Sequence, residues 1–257
     1  MKPIAFATRP WAIALGLAAA FLASPVAADD PNALWRVVHG LCVTDVKIRS
    51  RPAPCLAVDR ARGYAVVPDP RRRSQVLLVP TIRIAGIESP EILARGAVNY
   101  WQAAWEARRW VERRLRRPLS RDRTALAVNS ALSRSQDQLH IHVDCVRADV
   151  RQALRDDQGQ IGEAWTAFPL RLPGHAFQVR RLAADDLSES NPFGLLVEGD
   201  PTAAAHMGRE TLAVVGAVFA DGSPGFYLLS DHVDLSHGDT GFGEGLLDHS
   251  CAVLNQP

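Results

Sequence analysis

The clearest periodic stretch of the chain runs from Ala97 to Leu115. Its apolar positions Trp101, Ala104, Trp105 and Val111 recur at helical spacing, which predicts a helix with one core-facing stripe, stopped by Pro118. The other positions carry Arg108, Arg109, Arg113, Arg114, Arg116 and Arg117. They read as a solvated face, with an anionic lipid surface as the other possibility. Pro31–Leu41 predicts a shorter helix with Leu34, Val37, Val38 and Leu41 on one side. Apolar or alternating runs predict strands at Tyr64–Val67, Gln75–Thr81, Thr124–Asn129 and Leu139–Cys145. The last two are joined by the polar loop Ser130–Asp137, which favours antiparallel pairing. Further on, Phe177–Leu182, Gly194–Val197, Thr211–Phe219 and Phe226–Ser230 read as strands. Thr202–His206 and Glu244–Leu254 read as short helices. The order predicts an α+β fold: an antiparallel sheet with flanking helices and a C-terminal α/β extension.

Residues 1–28 stand apart from this pattern. Lys2 and Arg9 precede an apolar run from Trp11 to Leu22, then a small-residue stretch ending at Ala28 and followed by Asp29-Asp30. This is the layout of a secretory signal peptide, or of an uncleaved N-terminal anchor. It predicts export, to the periplasm or the periplasmic face of the inner membrane, with residues 29–257 as a single domain. Export changes the meaning of Cys42, Cys55, Cys145 and Cys251, which then read as two disulfides with three possible pairings. A local Cys42–Cys55 bridge across a Pro- and Arg-rich loop is one pairing. It leaves Cys145–Cys251, tying the C-terminus to the middle of the chain.

Composition narrows the function classes. The chain has 257 residues, 47% hydrophobic and 22% charged, which excludes a disordered chain and a polytopic membrane protein. A net charge of +1 gives no global footprint for nucleic acid. All basic residues except Lys2 and Lys47 are arginine. The Arg71–Arg73 triplet reads as a solvated turn, with contact to phosphates as the alternative.

The chemistry concentrates in Gln138-Leu139-His140-Ile141-His142-Val143-Asp144. In a strand, side chains two apart share a face. Gln138, His140, His142 and Asp144 therefore project together, with Leu139, Ile141 and Val143 on the opposite side. Two chemistries use such a face. One is metal binding by His140, His142 and Asp144, in a periplasmic metal-binding protein or a metal-dependent hydrolase. The other is nucleophilic attack on phosphorus by a neutral imidazole, which needs no metal and no cofactor. That attack requires a free lone pair on one ring nitrogen and a donor role for the other, typically to a main-chain carbonyl. A second histidine hydrogen-bonds the leaving oxygen, and Asn129, Ser135 and Gln138 supply nearby polar groups. His39, His232, His237 and His249 read as surface or structural residues. His175 and His206 are open to either a structural or a substrate-contact role.

The histidine segment resembles the histidine-triad motif, with Gln138 at the first triad position, His140 at the second and His142 at the third. More extensively, the chain resembles bacterial CDP-diacylglycerol pyrophosphatases. The similar segments are Gly63–Val67, Leu77–Thr81, Gly86–Pro90, Leu139–His142 with Cys145, Arg147–Arg151, Gly174-His175, His206–Arg209 and Cys251. The resemblance implies a histidine-triad-like (HIT-like) hydrolase domain that takes CDP-diacylglycerol and water to CMP and phosphatidate in phospholipid metabolism. It implies His140 as the nucleophile forming a cytidylyl intermediate, and His142 as the hydrogen-bonding partner of the leaving group. Ser135 and Asn129 would then hold non-bridging phosphate oxygens, and Gln138 would orient the site. The substrate would be met at a membrane surface.

Overall fold

Alternation along the strands decides which way each layer packs. In the computed structural model, which describes residues 30–173 and 175–256, helix α1 spans 33–49 with a π-helical stretch at Arg36–Cys42. Strands β1 (Ala57–Asp59), β2 (Tyr64–Pro68) and β3 (Val76–Pro80) follow, then helix α2 (Tyr100–Leu115). Strands β4 (Thr124–Val128) and β5 (Ile141–Cys145) lead to helix α3 (Ala148–Asp156). The second half adds β6 (Thr166–Leu172), β7 (His175–Ala183), α4 (Pro192–Gly199), α5 (Pro201–Ala205), β8 (Glu210–Val218) and β9 (Pro224–His232).

Among the described residues, the nine strands form one antiparallel sheet in the order β1-β2-β3-β5-β4-β8-β9-β7-β6. The expected C-terminal extension is thus a continuation of the same sheet, joined where β4 pairs with β8. Tyr64, Val66, Val76, Leu78, Ile141 and Val143 face the main core with Trp101, Ala104, Trp105 and Val111 of α2. Their strand neighbours Ala65, Val67 and Val79 face a smaller core under α1, with Leu34, Val38 and the Cys42–Cys55 bridge. The same alternation turns His140 and His142 toward the α1 side.

Helix α2 starts at Asn99, whose side chain accepts the Gln102 amide at 3.1 Å, and ends with Arg116 in the left-handed region at φ 56°. Its arginines do more than solvate a face. Arg108 stacks over Trp105 at 4.2 Å, and Arg114 donates to the carbonyls of Asp69, Arg72 and Arg73. Among the described residues no helix is long and apolar enough to cross a membrane. Residues 1–28, read from the sequence as a signal peptide or anchor, lie outside the described residues.

Several expectations are corrected. Gly194–Val197 is not a strand. It lies in α4, where Asn191 caps the amide of Phe193 and Pro192 occupies the first turn, so the helix is set by its start. Glu244–Leu254 is not one helix but two 3-10 turns, Gly243–Leu246 and Ala252–Asn255, with Leu247 between them bridging Val146. Leu41 is 54% exposed rather than on the buried face, because the wider π-helical turn brings Cys42 inward instead. β6 carries Pro169, which an edge strand tolerates and a sequence pattern discounts.

Both disulfides are formed: Cys42–Cys55, 13 residues apart, and Cys145–Cys251, 106 apart. A cross-link stabilises more when it closes a longer loop, about 3 kcal/mol for some 15 residues and about 4.7 kcal/mol for some 100. Removing Cys145–Cys251 by paired Ser substitutions is therefore expected to lower unfolding free energy about 2 kcal/mol more than removing Cys42–Cys55. Urea unfolding of the two double variants reads the difference, and equal losses would contradict the loop argument.

Candidate active site

His140 and His142 lie at the floor of a pocket of about 820 Å³. Their rings meet edge to face with centroids 4.8 Å apart. Asn129, Ser135 and Glu244 share the polar floor. Arg71, Arg72 and Arg114 stand to one side, and Leu34, Val37, Val67 and Leu77 form an apolar wall. The pocket thus places cationic, polar and apolar surfaces around two imidazoles.

The hydrogen bonds fix the two tautomers. His140 Nδ1 lies 2.7 Å from the carbonyl of Gln138, and a carbonyl only accepts, so Nδ1 carries the proton. The lone pair is then on Nε2. Burial, opposed by the Gln138 carbonyl and Glu244, holds the His140 pKa below the ordinary histidine value, so the ring is neutral at pH 7. His142 is arranged the other way. Its Nδ1 accepts from Gln75 Nε2 at 2.5 Å, which puts the proton on Nε2. That buried Nε2 has no hydrogen-bond partner of its own. Burial, outweighing the pull of Glu244, lowers the His142 pKa to about 3. One ring therefore presents a lone pair and the other an N–H.

Glu244 organises the floor. Its Oε1 accepts from Gln75 Nε2 at 3.1 Å and lies 3.5 Å from His142 Nδ1, 3.4 Å from His249 Nε2 and 3.5 Å from Arg72. Burial opposes its charge, but His249, Gln75 and Arg72 overcome this and hold the carboxyl far below its usual range. Its own amide donates to Asn129 Oδ1 at 2.9 Å. That bond commits the Asn129 carbonyl and leaves the Nδ2 group as the donor at the pocket.

Other expected site residues separate. Ser135 lines the pocket, on a loop held by Arg134, which bonds Glu88 at 2.6 Å and Asp137 at 3.2 Å. Gln138 does not line it. Its side chain is fully buried and donates to the carbonyls of Pro80 and Ile82, so its contribution to the site is the backbone carbonyl under His140. Asp144 is also turned away, accepting from Ser74 Oγ at 3.1 Å, His249 Nδ1 at 2.8 Å and the Cys145 amide. Among the described residues, His140, His142 and Asp144 do not bring their ligand atoms into one metal-sized cluster, because Asp144 is consumed by these partners. His175 and His206 do not line the pocket.

The sequence missed Gln75, Glu244 and the role of His249. Gln75 opens an apolar strand on the face that Leu77 shares, and Leu77 pairs with His142, so only the register reveals the contact. Arg71 and Arg72, read as a solvated turn, stand at the pocket because Arg114 binds the turn's carbonyls.

His249 gives a pH test. Burial opposes its charge, but hydrogen bonds to Asp144 and Glu244 raise its pKa to about 9. A raised histidine pKa contributes stability that is complete below about pH 6.5 and is lost as pH rises through about 9. Urea midpoints of the intact protein should fall over that window, and His249→Asn should flatten the fall. An unchanged slope in the variant would remove His249 from the account.

A family model for CDP-diacylglycerol pyrophosphatases matches residues 29–255. A CDP-diacylglycerol pyrophosphatase of Yersinia pestis is 36% identical over 226 residues, covering 88% of this chain and 86% of that protein. On this match across nearly its whole length, the chain belongs to the CDP-diacylglycerol pyrophosphatase family of hydrolases.

Proposed function

We propose that this pocket hydrolyses the pyrophosphate of CDP-diacylglycerol to CMP and phosphatidate through a cytidylyl group carried on His140, on a HIT-like fold. The supporting observation is the His140 tautomer: Nδ1 donates to a main-chain carbonyl and burial keeps the ring neutral, so Nε2 is a ready nucleophile. Nε2 attacks the cytidine-side phosphorus. The bond from that phosphorus to the bridging oxygen breaks, and phosphatidate leaves with the electron pair. The cytidylyl-imidazolium so formed keeps its Nδ1–H on the Gln138 carbonyl, which spreads the positive charge. Water then attacks the same phosphorus, the N–P bond breaks, and CMP leaves with neutral His140 restored. The water proton passes to solvent.

His142 Nε2–H supplies a hydrogen bond to the bridging oxygen as charge develops there. The Asn129 amide and Ser135 hydroxyl hold non-bridging oxygens. Arg71, Arg72 and Arg114 receive the phosphatidate side, and the Leu34–Val37–Val67–Leu77 wall takes the first carbons of the acyl chains. A lipid-linked substrate lies in a membrane, and an export signal over residues 1–28 would deliver the chain to the periplasmic face of the inner membrane.

Hydrolysis of CDP-diacylglycerol in detergent micelles tests the reading. His140→Ala should lower kcat by about 10⁴-fold or more. His142→Gln, which loses one hydrogen bond to developing charge, should cost about 10²–10³-fold. In single turnover with the cytidine-side phosphorus labelled, base quenching should leave label on the wild-type protein and none on His140→Ala. Turnover by His140→Ala within tenfold of wild type would overturn the nucleophile assignment.

A further inference from the structure

Three side chains outside the pocket converge behind the loop that carries Phe242 and Glu244. His175 opens β7, Asp231 lies near the end of β9, and Asp239 follows the 3-10 turn Leu235–His237. His175 Nδ1 is 2.7 Å from Asp239 Oδ2 and 3.8 Å from Asp231 Oδ2, and the three ligand atoms all lie within 4.8 Å of one another. The Asp231 side chain is only 4% exposed, and its Oδ2 is fully buried without a hydrogen-bond donor. Asp239 uses Oδ1 to accept the Gly241 amide at 2.8 Å, which leaves Oδ2 directed at His175.

As they stand, these groups are poorly balanced. Two carboxyl groups meet in a buried place, and burial with the neighbouring Asp239 pushes the Asp231 pKa up to about 8, so balance comes either from a shared proton or from a cation that displaces it. A single imidazole supplies at most one positive charge. Ligand atoms about 2.1 Å from a divalent ion sit roughly 3.0–3.4 Å apart, and the observed 2.7 and 3.8 Å bracket that spacing. One imidazole with two carboxylates is a mixed nitrogen–oxygen set, suited to zinc or a neighbouring first-row ion rather than to magnesium or calcium, which favour oxygen alone. His175 is 27% exposed, which gives the ion a way in.

We propose that His175, Asp231 and Asp239 form a structural zinc-type site, separate from the histidine pocket and not part of its chemistry. The ion would lock the loop that reaches the active site. Ser130 Oγ donates to the Thr240 carbonyl at 2.5 Å, the Ser130 amide donates to the Gly241 carbonyl at 3.0 Å, and Phe242 and Glu244 line the pocket just beyond. Fixing Asp239 therefore fixes the approach of Glu244 to His142.

The test uses the full chain stripped with chelator, dialysed, and titrated with zinc chloride alone. Calorimetry should find one equivalent bound. Free zinc at about 100 times the Kd should raise Tm by roughly 5–10 °C. Asp231→Asn and His175→Gln should each lose the stoichiometric site and the Tm shift. His175→Gln, at a partly exposed position, serves where the buried variant folds poorly. His142→Gln should keep both. Zinc that neither binds stoichiometrically nor raises Tm in the wild type would overturn the assignment. So would binding that survives His175→Gln, or binding that His142→Gln removes.

Discussion

The bond on which the proposed chemistry depends is the one from His140 Nδ1–H to the Gln138 carbonyl. A carbonyl cannot donate, so this contact decides which ring nitrogen keeps a lone pair. It also holds the ring at a set angle and offers a partner for positive charge during attack. Burial adds the second constraint by keeping both imidazoles neutral. Gln138 serves through its main chain, and its own amide is spent on the carbonyls of Pro80 and Ile82, which fixes the backbone that presents the acceptor.

Around that bond the fold supplies a polar frame on one face of a sheet and an apolar core on the other. β5 is held between β3 and β4, so its alternation is rigid. Ile141 and Val143 pack toward α2, and His140 and His142 necessarily face α1 and the pocket. The C-terminal segment then closes the frame. Cys251 is bonded to Cys145, which brings His249 onto Asp144 and helps set Glu244 against His142. A disulfide between cysteines 106 residues apart thus acts on the site through His249, which pairs with Asp144 and Glu244.

The histidine face, its apolar opposite and the α2 stripe were legible because alternation and helical spacing are local properties. Trp101, Trp105, Ile141 and Val143 lie where their spacing puts them. The Gln75–His142 contact was not legible, because it depends on strand register, which no short window contains. Glu244 was hidden in a stretch read as helix, and His249 is recruited only by long-range folding of the tail. Arg72 faces the pocket because Arg114 restrains its turn, a contact between residues more than forty positions apart. Gln138 was expected on the histidine face of a strand, but it lies in the bend before β5 with its side chain buried on the carbonyls of Pro80 and Ile82, a placement that alternation does not report.

The most direct test is nitrogen-15 NMR of the imidazole rings of the intact protein at pH 7, with assignments from His140→Ala and His142→Gln. The account predicts two neutral rings of opposite tautomer: His140 protonated on Nδ1 and bare on Nε2, His142 protonated on Nε2. A His140 ring that is protonated on Nε2, or doubly protonated at that pH, would contradict it, since no lone pair would then face the pocket.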